Sequence, residues 1–232
     1  MRKFWGFYKN DSFGVGCNGG TVFVYDSNGK ELYRFKDIPY AYKAAFMPNR
    51  NIIAVKSTVG YICFYDLDKG ALLKKHTVTT NGAQDEGFAF SADGCLFYNI
   101  EKPYSSTKTQ LGIYDTSDFS KSAVLFDGDD TLVLSYIETD SSGACYVSGF
   151  VRDAGTMVFA RGFAAVFDEK NGTLTYIRFL PRDVYDYLCA YKSWELHGCT
   201  EKALEWNYGL RGHDPITPVS IREIHSSCGK NT

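Results

Sequence analysis

The chain has 232 residues and a formal charge of −2, from 25 Lys and Arg against 27 Asp and Glu. Hydrophobic residues make up 44%, aromatics 16% and charged residues 22%, with 22 Gly and only 6 Pro. These proportions exclude a disordered tail, a collagen, a coiled coil and a disulfide miniprotein, and they lean toward a β-sheet protein with many tight turns.

The charge is uneven along the chain. Residues 1–60 carry nine basic and four acidic side chains, residues 61–180 ten and sixteen, and residues 181–232 six and seven. No stretch is a basic cluster of the kind that neutralises a phosphate backbone, so no nucleic-acid partner is expected. The opening MRKFWGFYKND has no apolar run of about 7–15 residues, so it does not read as a signal peptide. No stretch approaches the roughly 18 apolar residues of a membrane span. The expectation is a cytoplasmic protein with no membrane partner. Its seven cysteines (17, 63, 95, 145, 189, 199 and 228) form no C-x-x-C pair, and most sit in apolar strand patterns, where a reduced Cys behaves as a small core residue.

In chain order, one phrase recurs. An alternating apolar strand ends in aromatic-Asp, a short polar turn follows, and a second strand returns. It reads GTVFVYDSNGKELYRF at 20–35, GYICFYDLDKGALLKK at 60–75, QLGIYDTSDFSKSAVLF at 110–126 and GFAAVFDEKNGTLTYIRF at 162–179. The pairs Tyr25-Asp26, Tyr65-Asp66, Tyr114-Asp115 and Phe167-Asp168 fall in equivalent places. Each Asp is suited to capping the turn after it, and Gly29, Gly70 and Gly172 are suited to the positive φ such turns require. A second phrase alternates with the first: AAFMPNRNIIAV at 44–55, GFAFSADGCLFY at 87–98 and LSYIETDSSGACYVSG at 134–149. Turn dipeptides between alternating apolar runs mark hairpins. The chain therefore reads as about four short antiparallel strands per 40–50 residues, the pattern of a β-propeller blade.

These phrases resemble the WD-repeat superfamily, whose blade runs F-S-P-D-G-x-x-L-A and then G-x-x-x-x-W-D. Phe46-Met47-Pro48-Asn49 and Phe90-Ser91-Ala92-Asp93-Gly94 match the first part, and the Tyr-Asp pairs stand for Trp-Asp. The Gly-His element is missing, so the resemblance is to a divergent, bacterial-style propeller, and it spans roughly residues 4–180. It implies an all-β fold of four-stranded antiparallel blades in one domain over residues 1–232. Regular blades are expected at about 3–38, 39–79, 84–127 and 131–180. Residues 181–232 are expected to form an irregular fifth blade. Within them VYDYLCAYKSW reads as an inner strand, and Thr200, Glu201 and Gly209 frame a short helix. An open arc of four blades is the alternative.

Sites are harder to read. Asp127-Gly128-Asp129-Asp130 lacks the spacing of a calcium loop. The four histidines (76, 197, 213 and 225) are too scattered for zinc. There is no phosphate loop and no nucleophile elbow. No metal and no cofactor is expected. Trp5, Tyr40, Tyr42, Tyr185 and Tyr187 fall near the starts of inner strands, with Lys43 and Arg182 beside them. Aromatics with cations on a rim suit a protein-binding hot spot. Asp85, Glu86, Asp183 and Asp186 open inner strands, where paired carboxylates would suit sugar chemistry. The expected function is a non-catalytic protein- or peptide-binding scaffold using one rim, through Trp5, Tyr40, Tyr42, Lys43, Asp85, Glu86, Arg182, Tyr185, Asp186 and Tyr187. The chain would act as a monomer or homodimer. The alternatives are a carbohydrate-active hydrolase or lyase with a channel carboxylate site, and a toxin-neutralising immunity-type protein.

Overall fold

The computed structural model describes residues 2–4, 12–17, 20–77, 87–103, 108–140 and 142–180. These residues form four four-stranded antiparallel sheets, each an up-and-down meander in chain order. The first holds β1 (Arg2–Phe4), β2 (Ser12–Cys17), β3 (Thr21–Asp26) and β4 (Glu31–Phe35); the second β5 (Ala41–Phe46), β6 (Ile52–Ser57), β7 (Tyr61–Asp66) and β8 (Ala71–Thr77). The third holds β9 (Phe88–Phe90), β10 (Leu96–Glu101), β11 (Gln110–Asp115) and β12 (Ser120–Leu125); the fourth β13 (Leu132–Thr139), β14 (Cys145–Arg152), β15 (Phe159–Asp168) and β16 (Thr173–Leu180). The four aromatic-Asp phrases are the hairpins β3–β4, β7–β8, β11–β12 and β15–β16. Tyr25, Tyr65, Tyr114 and Phe167 each stand one residue before the end of the third strand.

Side chains alternate across a strand, so a sheet with neighbours on both sides must be apolar on both faces. The second sheet shows this. Every residue of β6 is buried. Its Ile53 and Val55 pack with Val22, Val24 and Phe35 of the first sheet, while Ile52 and Ala54 pack with Phe88, Phe90 and Phe97 of the third. The opposite face of the third sheet, with Tyr98, Ile100, Leu111 and Ile113, packs on Leu134, Val147 and Phe163 of the fourth. Rings fix the interfaces: Phe35 stacks on Tyr65 at 4.1 Å, and Phe64 meets Phe97 edge-on at 4.9 Å. Fully burying a ring or branched aliphatic side chain stabilises by roughly 1.5–3 kcal/mol. A sheet without neighbours forfeits most of that, which is why the blade is a unit of repetition and not of stability.

First strands lie at the inside of the stack, with β9 against β13. Fourth strands lie outside, and β8 and β12 are largely exposed. This ordering creates two rims. The entry rim, where first strands begin, carries the crossings between sheets and the turns from second to third strands. The exit rim carries the turns from first to second and from third to fourth strands. The Asp caps are on the exit rim. Asp26 Oδ1 accepts the amides of Asn28 and Lys30, and Asp66 Oδ1 those of Asp68 and Lys69. Asp115 Oδ1 accepts the Ser117 amide and Asp168 Oδ1 the Asn171 amide. Gly29, Gly70 and Gly172 take φ of 80°, 62° and 64° in three of these turns.

Candidate functional site

Of the rim residues expected from sequence, Tyr40 is the most fully placed. It ends the crossing from β4 and opens β5, with its ring exposed (53%) and its backbone in the left-handed region at φ 52°. The Thr58 amide donates to its carbonyl, tying the crossing to the β6–β7 turn. Tyr42 lies in β5, and its side chain is outside the described set. Trp5, Asp85, Glu86, Arg182, Tyr185, Asp186 and Tyr187 lie outside the described residues.

Lys43 takes a different position from the solvent-facing cation of a hot spot. It is buried, and its ammonium donates to the Phe88 carbonyl at 2.9 Å. The charge sits 4.9 Å from the Phe88 ring centroid and 5.0 Å from that of Tyr136. The four-carbon stem reaches from the second sheet across to β9 and β13, so the residue ties three sheets together near their inner edge. Its register partner Lys56 is also buried and donates to the Ile100 carbonyl at 2.6 Å.

Glu101 is a buried carboxylate that the sequence did not single out. It accepts from the Tyr114 hydroxyl, the side-chain amides of Asn99 and Gln110 (3.2 Å each) and the Lys121 ammonium (2.7 Å). A Cβ on Gly112 would collide with it, so that glycine makes its room. Four donors occupy its lone pairs, and the group functions as a structural hub rather than a reacting acid. His76 is similarly engaged, donating from Nε2 to the Phe119 carbonyl at 2.7 Å; burial holds its pKa below the usual imidazole value. In the acidic run, Asp129 Oδ1 caps its own turn through the amides of Thr131 and Leu132, and Asp130 pairs with Lys108. Among the described residues no group of three or more His, Cys, Asp or Glu is arranged to hold a metal ion. Cys63, Cys95 and Cys145 are free thiols. Burial pushes Cys63 up to about 11 and Cys145 up to about 12, which suits core residues rather than nucleophiles.

The β14–β15 loop was not expected from sequence. Asp153 Oδ1 accepts the amides of Gly155 and Thr156 and the Thr156 hydroxyl. The Met157 amide donates to the Asp153 carbonyl, and the Asp153 amide to the Val158 carbonyl. The loop holds Met157 and Val158 in solvent, 40% and 62% exposed. The only sequence signal for it is the D-x-G-T string, a turn cue that says nothing about which way the next two side chains face.

No protein-family model matches the chain, and no curated protein matches it. Among solved structures, it is similar to the WD40 domain of coronin from Toxoplasma gondii. The TM-score is 0.57 at 15% identity, covering 78% of this chain and 47% of that one. It is also similar to hydrazine synthase from Kuenenia stuttgartiensis, with a TM-score of 0.58 at 15% identity, covering 74% and 51%. The chain thus has the fold of a divergent β-propeller of WD-repeat-like build. It spans about half the length of the structures it matches, and at this identity the likeness carries the fold alone. Among the described residues no helix is long and apolar enough to cross a membrane.

Proposed function

We propose that the protein is a non-catalytic interaction module, a scaffold that binds a protein or peptide through one rim. The observation that carries this reading is Tyr40: a large aromatic ring held out into solvent by a backbone tied at both ends to rigid strands. Such a ring offers contact area at low entropic cost. The structural engagement of Glu101, His76 and the described rim aspartates supports a scaffold more than a reaction centre. The carbohydrate-active alternative rests on Asp85, Glu86, Asp183 and Asp186, and no described residue adds to it.

Around this core reading we propose a cytoplasmic monomer in which residues 181–232 add an irregular fifth blade, including the short helix framed by Thr200 and Gly209. A described sheet with its crossing takes about 40–50 residues, and 52 remain after Leu180. The fifth blade would cover the outer faces of the first and fourth sheets, where Phe23, Phe150 and Val166 are half-buried. Removing residues 181–232 is expected to yield aggregates or dimers. A soluble monomer of unchanged melting temperature would exclude that blade.

The binding role is tested with a photo-crosslinking amino acid at position 40, and separately at position 28 on the exit rim, in cells of the source organism. One recurrent adduct at position 40 and none at 28 is expected. The absence of any adduct at position 40, with the fold verified, counts against the reading.

A further inference from the structure

We infer that the entry rim is the docking face, and that its partner is an uncharged, apolar peptide segment anchored on Tyr40, Met157 and Val158. This rests on the interaction-module reading and adds the face and the chemistry of the partner.

The first observation is distribution. Among the described residues, five of the exposed large apolar side chains, Leu32, Leu72, Leu73, Val124 and Ile177, lie on the outer strands β4, β8, β12 and β16. The other three are Tyr40, Met157 and Val158, and all stand in entry-rim loops. The described exit-rim turns present none.

The second observation is strain. Four described non-glycine residues have left-handed backbone: Tyr40, Phe119, Phe126 and Met157, at φ 52°, 58°, 61° and 58°. For two of them packing accounts for it. The Phe119 ring is buried and stacks on Phe64 at 4.1 Å, and Phe126 packs against Phe167. Tyr40 and Met157 take the same unfavourable conformation and leave their side chains in water. Glycine or asparagine would occupy either position at lower conformational cost. An aromatic or Met kept where folding gains nothing from it is a side chain kept for something outside the chain.

The third observation is charge. The described carboxylates in these loops are largely spent internally: Asp129 and Asp153 on their own turn amides, Asp130 on Lys108. A rim whose acids are turned inward or paired selects its partner by apolar contact, not by charge.

The test uses the full chain and a phage-displayed library of random twelve-residue peptides. Enriched peptides are expected to carry aromatic or branched aliphatic residues without net charge. Their affinity is expected to change less than about three-fold between low and high salt, because little of the contact is screened. Tyr40→Gly and Met157→Gly are each expected to weaken binding at least ten-fold while the melting temperature holds or rises. Tyr40→Asn, which also tolerates the left-handed backbone, is expected to behave alike. Lys170→Ala, on the exit rim, is expected to leave binding unchanged. Enriched peptides that bind these rim variants normally, or that lose affinity steeply with salt, overturn the inference and leave the interaction reading standing. A fall in melting temperature for both Tyr40 variants also overturns it, since the ring would then be a packing residue. A library from which nothing enriches overturns the interaction reading along with it.

Discussion

The two rims are built from the same repeat and end in opposite chemistry. On the exit rim an aspartate follows the aromatic of each third strand, and its carboxylate is folded back onto turn amides. Further aspartates do the same: Asp93 takes the Cys95 amide and the Ser91 hydroxyl, and Asp140 takes the amides of Ser142 and Ala144. Turns there also lock neighbouring sheets, as where the Arg50 guanidinium donates to the Thr116 carbonyl at 2.8 Å. On the entry rim the loops hold Tyr40, Met157 and Val158 outward. One rim spends its polar groups on holding the sheets together. The other presents side chains from which the fold gains little. A repeat therefore fixes the scaffold without fixing both ends alike.

The sharpest way to break this comparison is to make the same change at a left-handed residue on each rim. Phe119→Gly relieves the same backbone strain as Tyr40→Gly, but it deletes a buried ring between the second and third sheets. Loss of a buried Phe side chain costs about 3–5 kcal/mol, and strain relief returns only about 1 kcal/mol of it. Urea denaturation should show Phe119→Gly strongly destabilised and Tyr40→Gly unchanged or slightly stabilised. Equal losses at both positions would erase the distinction between the rims.

A smaller effect comes from the caps. Asp140 receives two amides, the Ser142 hydroxyl and the Tyr146 hydroxyl at 3.1 Å. Asp140→Ala strips these donors of their acceptor at a partly buried turn. We expect a loss of about 1–2 kcal/mol, in the range for charged hydrogen bonds near a surface, read as a lower urea midpoint at constant slope. Peptide binding on the entry rim should be untouched. Asp153→Ala is the converse: it frees the loop that presents Met157 and Val158, and should lower affinity more than it lowers stability.

The alternating strands, the aromatic-Asp pairs and the turn glycines were legible because each is local. Periodicity, a cap two or three residues away and a positive φ are all written within one hairpin. Lys43 shows where local reading stops. Its place beside Tyr40 and Tyr42 suggests a rim cation, yet its acceptor, the Phe88 carbonyl, is 45 residues downstream, and only the packing of the sheets brings the two together. Glu101 was invisible for the same reason, since its donors come from β10, β11 and β12. Met157 and Val158 read as the beginning of an apolar strand. Only the hydrogen bonds around Asp153 reveal that they are held short of it.

Acid sharpens the contrast further, with the smallest effect on total stability. The turn donors hold the carboxyls of Asp66, Asp115, Asp118 and Asp168 below the usual aspartate value. For Asp66 the main cause is the Lys69 amide, for Asp115 the Ser117 hydroxyl, for Asp118 the Ser120 amide and for Asp168 the Asn171 side chain. All four belong to the exit rim. A carboxyl whose folded-state pKa is depressed binds fewer protons folded than unfolded, so stability rises with pH through the gap between the two values. The contribution is complete above the unfolded value of about 3.9 and drains away as the pH falls below it toward the depressed folded values. Exit-rim turns should therefore loosen first in acid. Hydrogen exchange followed from pH 5 down to about pH 3 should show protection falling at the amides of Lys69, Ser117 and Asn171, which donate to these carboxylates. The amides of Thr58 and Gly60, which donate to the backbone carbonyls of Tyr40 and Ser57, should keep theirs. Loss of protection at both rims together would mean that the caps do not carry the difference, and that the sheets unlock as one body.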